Sequence, residues 1–129
     1  MVLDTSALLA LLLDEPEAEA YRAALEDDET RLVSAATLLE TSIVIEARKG
    51  EAGGRELDLL IHKAEIGVVP VDAEQVAEAR RAYRQFGRGR HDAGLNCGDV
   101  FAYALARTSG EPLLFKGDEL SKTDVGRVL

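Results

Sequence analysis

Short runs of consecutive apolar residues alternate along the chain with longer stretches in which apolar residues recur every three or four positions. This pattern predicts strands interleaved with helices. Met1-Val2-Leu3 opens the chain as a short strand apolar on both faces, closed by Asp4. Thr5 or Ser6 then offers a side-chain oxygen to the first turn of an apolar helix over residues 7–13. Pro16 suits the start of a second helix over residues 17–27, with Ala18, Tyr21, Ala24 and Leu25 on one face. Residues 31–34 form a second strand, and Ser34 caps a long helix that runs through Arg48 and ends at Lys49-Gly50. The Ala52-Gly53-Gly54 segment reads as a flexible joint before a helix over residues 55–64 that turns Leu57, Leu60 and Ile61 inward.

A third strand is expected over residues 66–71, followed by Asp72 and, three residues on, Gln75, a capping box that opens a helix to Phe86. Three glycines among basic and polar residues make 87–95 a mobile loop. Residues 97–108 are apolar nearly all round and read as a buried helix, with Pro112 to Phe115 as strand four and Lys116-Gly117-Asp118-Glu119 as a polar turn. The tail 121–129 fits a short helix or an edge strand. The expected architecture is α/β: one three-layer α/β/α domain over 1–129, with a central parallel sheet of four or five short strands and right-handed crossovers. Such sheets bind ligands beyond the carboxyl ends of their strands.

Composition narrows the class. With 129 residues and 47% hydrophobic content the chain can bury one core without disulfides. Its single cysteine, Cys97, reads as a small core side chain, and no Cys/His cluster has zinc-ligand spacing, so a reducing cytoplasm is expected. The apolar start lacks a basic flank and carries Asp4 before its longest apolar run, which marks it as structure rather than a targeting peptide. No window offers the roughly 18 apolar residues of a membrane span. The net charge of -9, from 15 Lys+Arg against 24 Asp+Glu, opposes contact with a polyanion. The charge is uneven, however: 14–29 is strongly acidic, whereas Arg80, Arg81, Arg84, Arg88, Arg90 and His91 form one basic run. His62 and His91 read as surface residues.

Three acids fall where the surrounding pattern is apolar. Asp4 ends the first strand beside a helix start, a position that helix capping alone would explain. Glu40 has Ala36, Thr37, Ile43 and Val44 three and four positions away, so its helix carries it toward the sheet unless it reaches back to water. Asp99 stands among Leu95, Val100, Phe101 and Ala102, with a helix N-cap as the plainer alternative. All three can approach one sheet edge, where clustered carboxylates repel unless a cation joins them. Oxygen-only ligation favours Mg²⁺ or Mn²⁺, which suits phosphodiester hydrolysis.

With Met1-Val2-Leu3-Asp4-Thr5-Ser6-Ala7-Leu8, the segment 34–50, Gly94 to Ala106 and Pro112 to Leu120 quoted in that order, the chain resembles the PIN-domain nucleases, most closely the VapC toxins of toxin-antitoxin pairs. The resemblance implies a metal-dependent endoribonuclease held in check by a cognate VapB-like antitoxin, generally as a homodimer. It also implies metal binding by Asp4, Glu40 and Asp99, with Thr5 or Ser6 orienting water or the first carboxylate and Asn96 supporting the site. A fourth acid is Asp118 or Glu119, Asp118 being preferred. Arg80, Arg84, Arg88, Arg90 and Lys116 are candidate RNA contacts, read from the charge pattern rather than from the family. A phosphoacceptor receiver domain would need paired acids after strand 1 and would leave Glu40 and Asp99 without a role. A non-catalytic module of the same fold would have no reason to keep the acids.

Overall fold

The computed structural model covers all 129 residues. Its elements run β1 (Val2–Leu3), α1 (Thr5–Leu12), α2 (Ala18–Asp27), β2 (Leu32–Ser34), α3 (Ala35–Lys49), α4 (Glu51–Lys63), β3 (Gly67–Val69), α5 (Ala73–Phe86), α6 (Cys97–Ser109) and β4 (Leu113–Leu114). Every strand pairing is parallel, and the sheet order is β3-β2-β1-β4. The chain therefore winds outward from β1 to β3, then returns to the other side of β1 to place β4. This reversal creates a switch point between β1 and β4, where the connections leave a crevice at the carboxyl ends of the strands.

Strands this short are held by burial on both faces. Val2 and Leu113 belong to one apolar cluster with Phe86, Val100, Tyr103 and Leu105 from α5 and α6. Leu3 and Leu114, one residue further along, point the other way into a cluster with Leu8, Leu11, Tyr21 and Leu25 from α1 and α2. This period-two alternation makes the sheet the middle of three layers.

The structure departs from the sequence reading in several places. Ala52, Gly53 and Gly54 lie inside α4 rather than in a flexible joint. The chain turns at Gly50, with φ of +68°, and Gly53 is needed for proximity: a Cβ there would lie 2.8 Å from the Ile45 carbonyl oxygen, where α4 packs on α3. The 87–95 loop is closed rather than open. The Arg88 N–H donates to Leu95 O at 2.9 Å, the Leu95 N–H to Phe86 O at 2.9 Å, and the Ala93 N–H to His91 Nδ1 at 3.0 Å. Asp72 caps α5 by accepting from the Gln75 N–H at 2.9 Å, but the Gln75 amide donates to Pro70 O, so the capping box is not reciprocal. The sheet has four strands, and the tail makes both a 3₁₀ turn at Leu120–Lys122 and an isolated parallel bridge from Arg127 to Leu113.

Candidate metal centre at the β1/β4 switch point

Asp4 leaves the carboxyl end of β1 and becomes the N-cap of α1. Its Oδ2 accepts from the Ser6 N–H at 3.1 Å and the Ser6 hydroxyl at 2.6 Å. The capping role and the site role thus coincide in one buried carboxylate. Burial pushes its pKa from 3.8 up to about 6; the Ser6 hydrogen bonds oppose this, while the charges of Asp99 and Glu40 add to it. The Ser6 hydroxyl also accepts the Lys116 backbone N–H at 2.9 Å, which ties the segment after β4 to the start of α1.

Glu40 lies in the second turn of α3, half-buried, and receives a hydrogen bond from the Thr5 hydroxyl. Thr41 extends this network: its hydroxyl donates to Thr37 O at 2.8 Å and reaches Thr5 Oγ1 at 3.4 Å. Thr5 and Ser6 therefore divide the work, Thr5 orienting Glu40 and Ser6 orienting Asp4.

Asp99 is the third residue of α6. The cap itself is Asn96, whose side chain accepts the Asp99 N–H at 3.0 Å while Asp99 Oδ2 accepts the Asn96 N–H at 3.0 Å. The reading that made Asp99 a simple N-cap is replaced by a capping box in which Asn96 caps and Asp99 answers. Partial burial raises the Asp99 pKa; the Asn96 bond opposes this, and the charges of Glu119 and Glu40 reinforce it.

Glu119 is therefore the fourth acid whose charge reaches Asp99, although Asp118 was the preferred choice from the sequence. Gly117, with φ of +105°, turns the chain after β4. Asp118 is exposed, and its backbone carbonyl accepts from Ser121 Oγ at 2.6 Å.

One further residue shapes the site. Gly98 occupies the second position of α6, and a Cβ there would stand 1.9 Å from Glu40 Oε2. The glycine leaves the space that the Glu40 carboxylate fills. The available signal was a glycine in the first turn of a helix, next to the candidate acid Asp99, since glycine within a helix has a cost and so calls for a packing or functional reason.

The all-oxygen donors of Asp4, Glu40, Asp99 and Glu119 fit a hard divalent cation. The charges that bear on Asp4 and Asp99 are those of neighbouring carboxylates, Asp99 and Glu40 on the first and Glu119 and Glu40 on the second. No three acids stand at ligating distance from one another as they lie, because Glu40 is turned to Thr5 and Asp99 to Asn96. The fit is one of chemistry and placement.

A model of the PIN domain matches residues 1–126. The chain belongs to the PIN-domain family. It is 59% identical over 128 residues to a protein named ribonuclease VapC of Mycolicibacterium smegmatis, covering 99% of each chain. It is equally identical to ribonuclease VapC30 of Mycobacterium tuberculosis, covering 99% of this chain and 98% of that one. Among solved structures it resembles Mycobacterium tuberculosis VapC20, described as a toxin that cleaves the sarcin-ricin loop, with a TM-score of 0.76 and 18% identity over 96% of this chain and 95% of that one. It also resembles VapBC2 of Rickettsia felis bound to a promoter DNA fragment, with a TM-score of 0.75 and 16% identity over 98% of this chain and 94% of that one. The two structural matches carry the fold, while the family model and the 59% identical relatives bear out the PIN-domain VapC resemblance.

The remaining predicted residues lie elsewhere. Lys116 is not a free phosphate contact: its ammonium is 3.2 Å from both Glu15 and Glu17. Arg80, Arg84, Arg88 and Arg90 are exposed and make no ion pair, whereas Arg81 pairs with Glu78. His62 and His91 are exposed, and His91 sets its ring edge-on to Phe86 at 5.2 Å. Cys97, expected in the core, is exposed on the first turn of α6.

Proposed function

We propose that this chain is a Mg²⁺- or Mn²⁺-dependent endoribonuclease, the toxin of a toxin-antitoxin pair, in which Asp4, Glu40, Asp99 and Glu119 hold the metal. The observation that carries the reading is the convergence of Asp4, Glu40 and Asp99, from three separate elements, on the β1/β4 switch point, where burial first and neighbouring carboxylate charge second raise the pKa of Asp4 and Asp99. Relatives at 59% identity that are named ribonucleases support the substrate class. When bound, a divalent cation supplies Lewis-acid charge for the scissile phosphate and acidifies water.

The chain's own residues do the rest. Ser6 holds the Asp4 carboxylate toward the crevice, Thr5 holds Glu40, and Asn96 fixes Asp99 through the α6 cap. Gly98 keeps the first turn of α6 close to Glu40. Arg80, Arg84, Arg88 and Arg90 supply the positive charge that a polyanion requires on a chain of net charge -9. Its partner is an antitoxin of the VapB kind, a reading supported by the VapBC complexes among similar structures, and the antitoxin inhibits the enzyme by covering this acidic crevice. The protein acts as a cytoplasmic homodimer.

The test uses protein purified free of antitoxin and a labelled single-stranded RNA. Cleavage should appear with Mg²⁺ or Mn²⁺ and vanish when divalent ions are chelated, and Asp99→Asn should lose it while keeping the wild-type melting curve. Equal cleavage by Asp99→Asn would remove Asp99 from the mechanism.

A further inference from the structure

The residues that follow β4 are tied to the N-terminal part of the chain by main chain and side chain alike. The Tyr21 hydroxyl donates to Phe115 O at 3.2 Å, and the Lys116 N–H donates to Ser6 Oγ at 2.9 Å. The Lys116 ammonium lies 3.2 Å from Glu15 Oε2 and 3.2 Å from Glu17 Oε2. Lys116, Glu15 and Glu17 are all half-buried, so the lysine bridges two acids rather than forming one loose surface pair.

The two glutamates stand in the link between α1 and α2, which is itself ordered. The Glu15 N–H donates to Ala10 O at 2.9 Å, Glu15 O accepts the Ala18 N–H at 2.9 Å, and Pro16 restricts the backbone between the two acids. Two carboxylates that face one point repel unless a cation joins them, and Lys116 is that cation. Its ammonium is therefore committed. The turn that begins at Lys116 is anchored to α1 through Ser6 and to the α1–α2 link through Glu15 and Glu17.

This turn carries the fourth acid. Gly117 has φ of +105°, and a Cβ on it would stand 3.1 Å from Glu119 Oε2, so the Glu119 carboxylate lies back over the anchored end of the turn. Glu119 is exposed, and packing does not orient it. The path of the backbone from Lys116 is what brings its charge to bear on Asp99. The Ser6 hydroxyl joins both ends of the site, since it accepts from the Lys116 N–H and donates to Asp4.

We propose that Lys116 is a positioning residue for the metal centre, its ammonium clamped by Glu15 and Glu17 so that the turn after β4 delivers Glu119 to the cation held with Asp99. This rests on the metal-dependent reading above and extends it to how the fourth carboxylate is held.

Two effects of removing the ammonium have opposite signs. Loss of a positive charge near an acidic site favours cation binding, whereas loss of the anchor weakens it. Mn²⁺ binding to RNA-free protein, read from the electron paramagnetic resonance signal of the free ion, separates the two. Lys116→Met keeps the aliphatic stem and the backbone bond to Ser6. It should lower Mn²⁺ affinity about 10-fold, the lower end of what loss of a group that orients a metal ligand costs. Lys116→Arg should recover most of that loss, because a guanidinium can also bridge two carboxylates. Lys122→Met removes the same charge from an exposed lysine on the same segment and should bind Mn²⁺ at least as well as wild type. In a Glu119→Gln background Lys116→Met should cost little more, since the lysine acts through that carboxylate. The Mg²⁺ concentration for half-maximal RNA cleavage should rise in step, with the rate at saturating metal largely kept. Melting curves should stay close to wild type, because partly exposed ion pairs add little to stability.

Mn²⁺ affinity in Lys116→Met equal to or above that of wild type overturns the clamp, even if the wild type binds metal and cleaves RNA. A full further loss in the Glu119→Gln background overturns it as well, because Lys116 would then act elsewhere than on Glu119. Wild-type protein that neither binds Mn²⁺ nor cleaves RNA with either metal overturns the metal-dependent reading, and the clamp with it.

Discussion

Replacing Gly98 with alanine adds one methyl group between two elements of the site. That methyl would meet Glu40 Oε2 at 1.9 Å, Cδ at 2.7 Å and Oε1 at 2.8 Å, whereas ordinary van der Waals contact begins at 3.4 Å. The nearest oxygen must retreat by about 1.5 Å, the difference between 3.4 and 1.9 Å. All three atoms belong to the far end of a flexible side chain, so the carboxylate moves and the backbone does not. Alanine is also the better helix former, by up to about 1 kcal/mol at an interior position. Stability and activity should therefore separate. The melting temperature of Gly98→Ala is expected to equal or exceed that of the wild type. A displacement of about 1 Å in a positioned group costs on the order of 100-fold in rate, so RNA cleavage at saturating Mg²⁺ should fall by about that factor. The assay pairs a fluorogenic RNA substrate with thermal melts of the same preparations. Cleavage by Gly98→Ala within about twofold of wild type would refute the placement of Glu40 in the site.

Two further expectations follow from the first carboxylate. The Asp4 pKa is raised from 3.8 to about 6, so its ionisation costs folding free energy; this stabilising contribution is complete below about pH 4 and is lost as pH rises through about 6. Asp4→Asn, which can still cap α1, should melt higher than the wild type near neutral pH without divalent ions, by up to about 3 kcal/mol, with the gain fading toward pH 4. A variant less stable than wild type near neutral pH would contradict this. Ser6→Ala removes a hydroxyl that lowers the Asp4 pKa, so the acidic limb of the pH–rate profile should move to higher pH, and an unmoved limb would show that Ser6 does not act through Asp4. The same change leaves the Lys116 N–H without its acceptor and should cost about 1–3 kcal/mol in a urea melt.

Much of the fold was legible because the elements are strongly patterned. Met1-Val2-Leu3 reads as a strand since nothing else accommodates consecutive apolar residues ended by an acid, and Ser34 and Asp72 are the caps they resemble. The errors share one cause. At Gly53 and in the 87–95 loop, glycine was taken as freedom, whereas in the structure Gly53 lies against Ile45 of the preceding helix and the loop is closed by backbone bonds among Phe86, Arg88 and Leu95. The period of the sequence carries no information about such pairings. Asp4, Glu40 and Asp99 could be picked out because a carboxylate in apolar surroundings is locally anomalous. Asp118 and Glu119 could not be separated in that way, for both are exposed turn residues, and the choice depends on which side of Gly117 faces α6. Lys116 failed for a related reason, since Glu15 and Glu17, which hold it, are about a hundred residues away in the chain.

The acid cluster and the exposed arginines of α5 place opposite demands on the anionic substrate proposed above. Each acid is steadied by a neutral donor, Ser6 for Asp4, Thr5 for Glu40 and the Asn96 N–H for Asp99. The one nearby lysine, whose backbone bonds to Ser6, sends its ammonium away to Glu15 and Glu17. The charges that bear on Asp4 and Asp99 are carboxylates, and they oppose the approach of a phosphate. On the proposed reading, the positive charge that admits the scissile phosphate comes from a bound divalent ion, whereas the exposed arginines of α5 belong to the protein itself. The two parts of the surface should then respond differently to the removal of divalent ions. That reading expects affinity for RNA to persist through the arginines and to weaken with salt, and cleavage to require the metal. An enzyme arranged in this way can bind its substrate before it is competent to cut it, so that the carboxylates, rather than the arginines, are what an inhibitor must cover.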